Sequence, residues 1–407
     1  MLPPSASASS PWLRIFLPFA LGYYLSYLLR TVNAVISPAL TSEFTLGAGE
    51  LGLLTSLYFI AFGLAQIPVG IALDRFGPRQ VESLLLLLTA LGSAVFASAE
   101  SLTGLGLGRA LIGFGVSACL MGALKGLTLW YPPERQGSMT SYIMACGALG
   151  ALTASAPLEA VLPLLGWRQV FWLIAFVALA AALSLWWSLP RGETRSAGVS
   201  LGSIVSGLAV IFPAPAFLRF SGTAFFLVGG YMALQSLWAV PWLMEVEGLD
   251  LAATARVLFG FNAGMLCGQL VLGMIGVRLA RRGVQPLQLL QIGYAGILLV
   301  ELAILLDWGP SLPRWFLFGM LSAVNSQSYL AAAGSFSPQM FGRVSTSLNL
   351  LIFVGAFAVQ WGIGLLLDLL RGAGWEMALA LQMTFGLLLA VQVLSYLPLW
   401  WKLEARR

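Results

Sequence analysis

Long apolar stretches separated by short polar punctuation dominate the chain. They run over roughly 12–39, 48–73, 81–99, 102–130, 138–163, 168–189, 219–244, 252–277, 286–306, 313–335, 345–371 and 376–401. About 20 apolar residues of helix cover the roughly 30 Å hydrocarbon core of a bilayer, so each stretch is long enough to span one. Inside lipid no water satisfies exposed backbone groups, and the spanning form is helix rather than open sheet. The intervals between stretches are rich in Gly, Pro and charge and read as turns. The pattern predicts an all-α membrane protein with twelve transmembrane helices.

Composition supports that class. The chain is 59% apolar and only 9% charged, against about 25% charged for soluble domains. The first stretch is too long for the apolar region of a cleavable signal and no cleavage site follows, so it is expected to be a true span. Cys119, Cys146 and Cys267 lie far apart inside spans and form no zinc or redox spacing. The chain has no histidine, which removes the commonest metal ligand and proton shuttle. No cofactor is expected.

Alternating the spans puts fourteen Lys and Arg on the side holding both termini and four (Arg168, Arg256, Arg314 and Arg371) on the other. The positive-inside rule then predicts cytoplasmic termini in a multi-pass inner membrane. The net charge of +5 thus reports topology and contact with lipid, not a nucleic-acid surface. A monomer is expected.

Residues 190–218 break the rhythm. They begin basic and Gly/Ser-containing, become amphipathic over SIVSGLAVIF, and end at Pro213 and Pro215. This reads as a cytoplasmic linker with a short interfacial helix, between an N-terminal bundle over 1–189 and a C-terminal bundle over 219–407. An internal repeat supports the division. Gly70, Arg75 and Gly77 recur as Gly276, Arg281 and Gly283 at an offset of 206, and Tyr131, Pro133 and Gly137 recur as Phe336, Pro338 and Gly342 at 205. Parallel halves related by an axis along the membrane normal put a substrate site at their interface, near mid-bilayer.

The stretch GIALDRFGPR at 70–79 resembles the signature loop between helices 2 and 3 of the major facilitator superfamily. The resemblance implies two pseudo-symmetric six-helix bundles. It also implies that Gly70, Asp74, Arg75, Gly77 and Arg79 form a conformational latch of the outward-open state. The second copy carries Ala280 in place of the Asp, so the latch is expected to be asymmetric. Arg109-Ala-Leu-Ile-Gly113-Phe-Gly115 is similar to the family's Arg-x-x-x-Gly-x-Gly stretch, which implies proton handling or helix packing; both stay open. The helix 1–2 region over 27–80 resembles the organic-anion and nitrate-type symporter branches. Helices 5 and 11 lack the Gly-Asn-Gly-Gly pattern of nitrate carriers, and helix 5 lacks the Gly-Pro-Gly-Gly motif of proton-driven exporters.

Chemistry inside the membrane narrows the function. A mid-span charge costs about 2.5–3.5 kcal/mol on insertion scales, yet Arg30, Arg109 and Lys125 fall within spans. Spans one, two, four, seven, eight, ten and eleven hold no mid-span acid to pair with them. The missing negative charge is expected to come from the substrate. Arg30 would clamp a carboxylate through paired N–H donors, and Lys125 would add a second positive point. Helical phase puts Tyr27, Arg30 and Asn33 on one face of helix 1, and Tyr231, Gln235 and Trp238 on a comparable face of helix 7. Tyr58, Asn262, Asn325 and Tyr329 are further candidates for the lining. Glu159 and Arg109 are the candidates for proton coupling.

The expected function is secondary active transport of a small, carboxylate-type organic anion by alternating access, with proton-coupled uptake. Proton-driven efflux of drugs or metabolites and anion exchange are the alternatives. An enzyme would need a nucleophile–base or metal cluster that this chain lacks, no Walker loop is present, and no large soluble output domain suggests a sensor.

Overall fold

The computed structural model describes residues 12–190, 209–337 and 340–401. The linker with its expected interfacial helix falls mostly on 191–208, outside the described residues, as do Pro338 and the side chain of Ala280. The described residues are helical almost throughout. In chain order the helices are α1 (Leu17–Phe44), α2 (Ala48–Ala97), α3 (Leu102–Trp130), α4 (Pro133–Thr153) and α5 (Ala156–Ser188). Then come α6 (Pro215–Val246), α7 (Leu251–Arg281), α8 (Pro286–Leu305), α9 (Ser311–Leu321, continued to 333), α10 (Phe341–Gly372) and α11 (Met377–Tyr396).

Among the described residues, nine helices are long and apolar enough to cross a membrane. Their relation to the twelve expected spans is set by glycine. A continuous α2 of 50 residues would measure about 75 Å, far beyond a bilayer. Gly77, at φ 77° and ψ 166°, breaks it into arms over 48–76 and 78–97, a conformation that L side chains rarely adopt. Pro78 then starts the second arm with the φ that a first helical turn needs. Gly166 (φ 72°) also breaks α5, but its first arm over 156–165 is too short to span and falls with α4 in the expected fifth span, so this break adds none. The other two expected spans correspond to α4 and α9.

Helix α6 is irregular. Wide π turns occupy Thr223–Val228, Leu234–Trp238 and Trp242–Val246. Such turns rotate the face a helix presents and recur at functional sites. This helix carries Tyr231, Gln235 and Trp238, so its phase departs from the regular period.

The halves meet mainly along α2 with α10 and α1 with α6, with α7 against α4 and α5. Their contacts are polarised along the bundle axis. At the end remote from the chain termini, hereafter the far end, Asp368 accepts from the backbone N–H groups of Ala48 and Gly49 (2.9 and 2.8 Å). Gln360 donates to Thr55 Oγ1 at 2.6 Å. Midway, the rings of Phe62 and Phe353 stack at 4.2 Å, and Asn262 donates to the Ala151 carbonyl at 3.2 Å. Among the described residues no hydrogen bond joins the halves nearer the terminal end than Asn349 to Gln66 (3.2 Å). Among the described residues, the polar contacts between the halves thus lie at the far end and midway along the bundle.

Candidate functional site

Arg30 is the centre of the interface between the halves. Its guanidinium carbon lies 4.5 Å from the centroid of Tyr27 on its own helix, 5.7 Å from Phe62 on α2 and 5.7 Å from Phe353 on α10. Tyr23, Tyr58, Tyr231 and Tyr329 lie within electrostatic reach of the same charge. Aromatic faces attract a cation, but they supply no counter-charge. Arg30 Nε is buried without a hydrogen-bond partner, and among the described residues no acid forms an ion pair with this arginine. Other cations contrast with it. Arg314 bonds Asp307 at 2.7 Å and Glu247 at 3.1 Å, and Arg168 pairs with Glu43.

The expected ring of polar groups divides in three. Tyr27, Tyr231 and Tyr329 converge on Arg30 from α1, α6 and α9. The Tyr231 hydroxyl and Asn325 Oδ1 are buried with no partner, and both polar atoms of Asn33, three residues on from Arg30, are also unpartnered. These atoms are unspent hydrogen-bonding capacity near mid-bilayer. A second group is engaged with the protein. Gln235 donates to Asn262 at 2.8 Å, which in turn reaches across to α4. Tyr329 donates to Asn349 Oδ1 at 2.8 Å. Tyr58 is fully buried and donates to the Ser26 carbonyl at 3.1 Å; it also neighbours both Arg30 and Arg109, whose guanidinium lies 5.0 Å from its ring. Trp238 forms the third group: its indole donates to the Gln360 carbonyl at 2.9 Å, in the far-end seam and not in the ring around Arg30.

One charged residue departs from expectation, and a second engages the protein. Lys125 is not a cation without a partner. Its ammonium bonds Asp74 Oδ1 at 2.7 Å and the Leu73 carbonyl at 2.8 Å. The cause is a contact between α3 and the end of the first arm of α2, 51 residues apart in sequence, which no local spacing reveals. Arg109 is buried and donates to the Leu29 carbonyl at 2.9 Å. Gly113, one turn on, sits against the Tyr58 carbonyl with no room for a Cβ. Both contacts pack α3 against its neighbours α1 and α2. No ion pair joins Arg109 to Glu159 among the described residues, and Glu159 sits half-buried in the first turn of α5.

The loop at 70–79 is likewise engaged within its own half. Gly77 makes the turn, Asp74 holds Lys125, and Arg75 lies 5.2 Å from the Phe76 ring. Arg79 donates to the Trp186 carbonyl at 2.8 Å and lies 4.7 Å from its ring. Gly70 faces open space.

Several residues of the site were not anticipated from the sequence. Phe62 and Phe353 flank Arg30, and one phenylalanine among 24 carries no distinguishing signal. Gln66 accepts from Asn349 and approaches the Ser117 carbonyl at 3.4 Å; a polar residue one turn from Phe62 on the same helix face was the available clue. Away from Arg30, Glu82 is fully buried with both carboxyl oxygens unpartnered. A Cβ on Gly22 would lie 2.8 Å from its Oε1, and Gly122 leaves the space for its Oε2. Glu301 is buried beside Gln392, which donates to it at 3.3 Å.

Comparison with known proteins places this architecture. The "Probable L-galactonate transporter" of Escherichia coli (strain K12) is 26% identical over 281 residues, covering 65% of this chain and 61% of that protein. The "Membrane sensor protein UhpC" of Salmonella typhimurium (strain LT2) is 24% identical over 94% of this chain and 92% of its own length. The "Probable nitrate/nitrite antiporter NarK1" of Thermus thermophilus is 28% identical over 62% of this chain and 59% of its own. Among solved structures, the D-xylose–proton symporter superposes with a TM-score of 0.76 at 15% identity, covering 96% of this chain and 98% of that one; the likeness is one of fold. The profile of the Major Facilitator Superfamily matches residues 19–360. That match runs from α1 into α10 and takes in both halves, and the chain belongs to this superfamily of membrane transporters.

Proposed function

We propose that this protein carries a small organic anion across the bacterial inner membrane by alternating access, with Arg30 holding the anion's carboxylate. The observation that carries the reading is the solitary charge. A guanidinium at the interface of the halves, ringed by aromatics and with no ion pair to an acid among the described residues, keeps Nε–H free for a charge-assisted hydrogen bond. A carboxylate entering between the halves would both neutralise it and find a donor at the Tyr231 hydroxyl. Unpartnered polar atoms on Asn33, Tyr231 and Asn325 suit a substrate that also bears hydroxyl groups. The sugar acid in the name of one relative, L-galactonate, has this chemistry and is the first compound to try.

Uptake is proposed to be coupled to protons, with a buried carboxyl in place of the absent histidine. The test of the substrate reading is a thermal-shift screen of the purified protein against L-galactonate, other sugar acids, nitrate, amino acids and lipophilic cations. A ligand that binds only the native state raises apparent stability. Stabilisation by carboxylates that vanishes in Arg30→Ala supports the clamp; stabilisation by lipophilic cations alone supports efflux. The long match to a membrane sensor favours one further reading, in which the same anion is bound without net movement. Binding without uptake into proteoliposomes is its signature.

A further inference from the structure

We infer that Asp368 is one pole of a two-ended latch between α2 and α10, the pole that holds the far end shut. Its carboxylate takes the backbone N–H of Ala48 on Oδ1 at 2.9 Å and that of Gly49 on Oδ2 at 2.8 Å. These are the first residues of α2, where N–H groups have no intrahelical acceptor and the helix dipole presents its positive end. The local N-cap is Gly47, which has no side chain to serve them. A residue 320 positions away, in the other half, therefore caps this helix.

The approach is built for that contact. A Cβ at Gly49 would lie 2.6 Å from Asp368 Oδ2, and a Cβ at Gly364 would collide with the Ala48 carbonyl. Two turns back along α10, the buried Gln360 donates to Thr55 Oγ1 and accepts from Ser236, both at 2.6 Å. Of these far-end contacts, Asp368 with Ala48 and Gly49 and Gln360 with Thr55 cross between the halves and must break when they separate there, whereas Ser236 holds Gln360 from within the C-terminal half.

The other ends of the same two helices carry the complementary observation. Helix α10 starts at Phe341 with no side-chain cap. Asp74, the acid at the terminal end of the first arm of α2, is held by Lys125 in its own half at 2.7 Å. One carboxylate per helix thus stands at opposite ends of the α2–α10 pair: Asp368 is engaged across the halves, and Asp74 is parked. Rocking the halves to open the far end withdraws Asp368 from Ala48 and Gly49 and brings Asp74 toward the uncapped start of α10. The resemblance at 70–79 implies the Asp74 pole for the outward-open state. The Asp368 pole and the parking role of Lys125 come from the geometry here.

The test uses spin-label distances in the full-length protein, with Cys119, Cys146 and Cys267 replaced by serine. Labels at Glu100→Cys and Trp308→Cys report the far end in opposite halves. No substrate is needed, so the outcome is independent of the anion reading. Asp368→Asn is expected to raise the far-end-open to far-end-closed ratio about tenfold, the scale of a helix-terminus interaction in a favourable geometry. Asp74→Asn is expected to lower it, and the double variant to return toward the parent. Gly49→Ala, which displaces the carboxylate without changing it, should act like Asp368→Asn. An unchanged ratio in both Asp368→Asn and Gly49→Ala overturns the inference. So does a shift in the same direction for Asp368→Asn and Asp74→Asn, because mere loosening of the fold gives no compensation in the double variant.

Discussion

Replacing Arg30 with methionine separates binding from folding. The substitution removes a mid-span charge whose insertion costs about 2.5–3.5 kcal/mol. It also removes three cation–aromatic contacts, to Tyr27, Phe62 and Phe353 at 4.5, 5.7 and 5.7 Å, each worth about 0.5–1 kcal/mol. The terms nearly cancel, and methionine fills similar space, so the stability of the unliganded protein should move by less than about 2 kcal/mol. Anion binding has no such compensation. Hydrogen bonds to a charged group contribute about 1.5–3 kcal/mol, so affinity for a carboxylate should fall about ten- to a hundredfold. Calorimetric titration of the purified variant with a sugar acid measures the second quantity, and thermal unfolding without ligand measures the first. A variant that unfolds far below the parent yet binds the anion unchanged would refute the reasoning, since Arg30 would then be a structural pin.

Lys125→Met should leave anion affinity within about twofold of the parent, because its ammonium is committed to Asp74 at 2.7 Å and to the Leu73 carbonyl at 2.8 Å and a half-exposed pair of this kind is screened; the same titration checks this. Gly113→Ala should lower thermal stability by about 1–3 kcal/mol, since its Cβ would drive into the backbone of Tyr58. Glu82→Gln should preserve folding and anion exchange in proteoliposomes while abolishing accumulation driven by an imposed proton gradient. Glutamine keeps the shape of a carboxyl whose two oxygens are buried and unpartnered but fixes it in a neutral form. Undiminished gradient-driven accumulation would remove Glu82 from the coupling path. Phe353→Ala should weaken the site as well as the fold, because the ring both stacks on Phe62 at 4.2 Å and flanks Arg30.

The features legible in the sequence are those that hydrophobicity and backbone geometry dictate locally. Run length gave the helices, and the Gly77 break followed from a glycine between Arg75 and Arg79 in a recognisable loop. The repeat at an offset of 205–206 pointed to an interface between halves, and the unpaired Arg30 followed from the scarcity of acids. Helical phase put Tyr27 and Tyr231 on the lining faces of their helices, and both lie near that charge. Phase gives the face of a helix, but not the depth at which a residue meets another helix. Trp238 shares a face with Tyr231 yet lies in the far-end seam, and the π turns of α6 make its period irregular. Lys125 looked unpaired because its partner sits on a different helix, brought close only by packing of α3 on α2. Contacts between the halves, such as Asp368 with Ala48 and Asn349 with Gln66, belong to one conformational state. A transporter's sequence must permit two states, and no pattern along the chain singles out the contacts of either.

The central claim is tested most directly by uptake of radiolabelled L-galactonate into proteoliposomes containing the parent protein or Arg30→Lys. Lysine keeps the charge but loses the planar fork of donors. The account predicts saturable uptake by the parent that other carboxylates compete away, and none above protein-free vesicles for the lysine variant. Equal uptake by the two proteins, or competition by lipophilic cations but not by carboxylates, would contradict it.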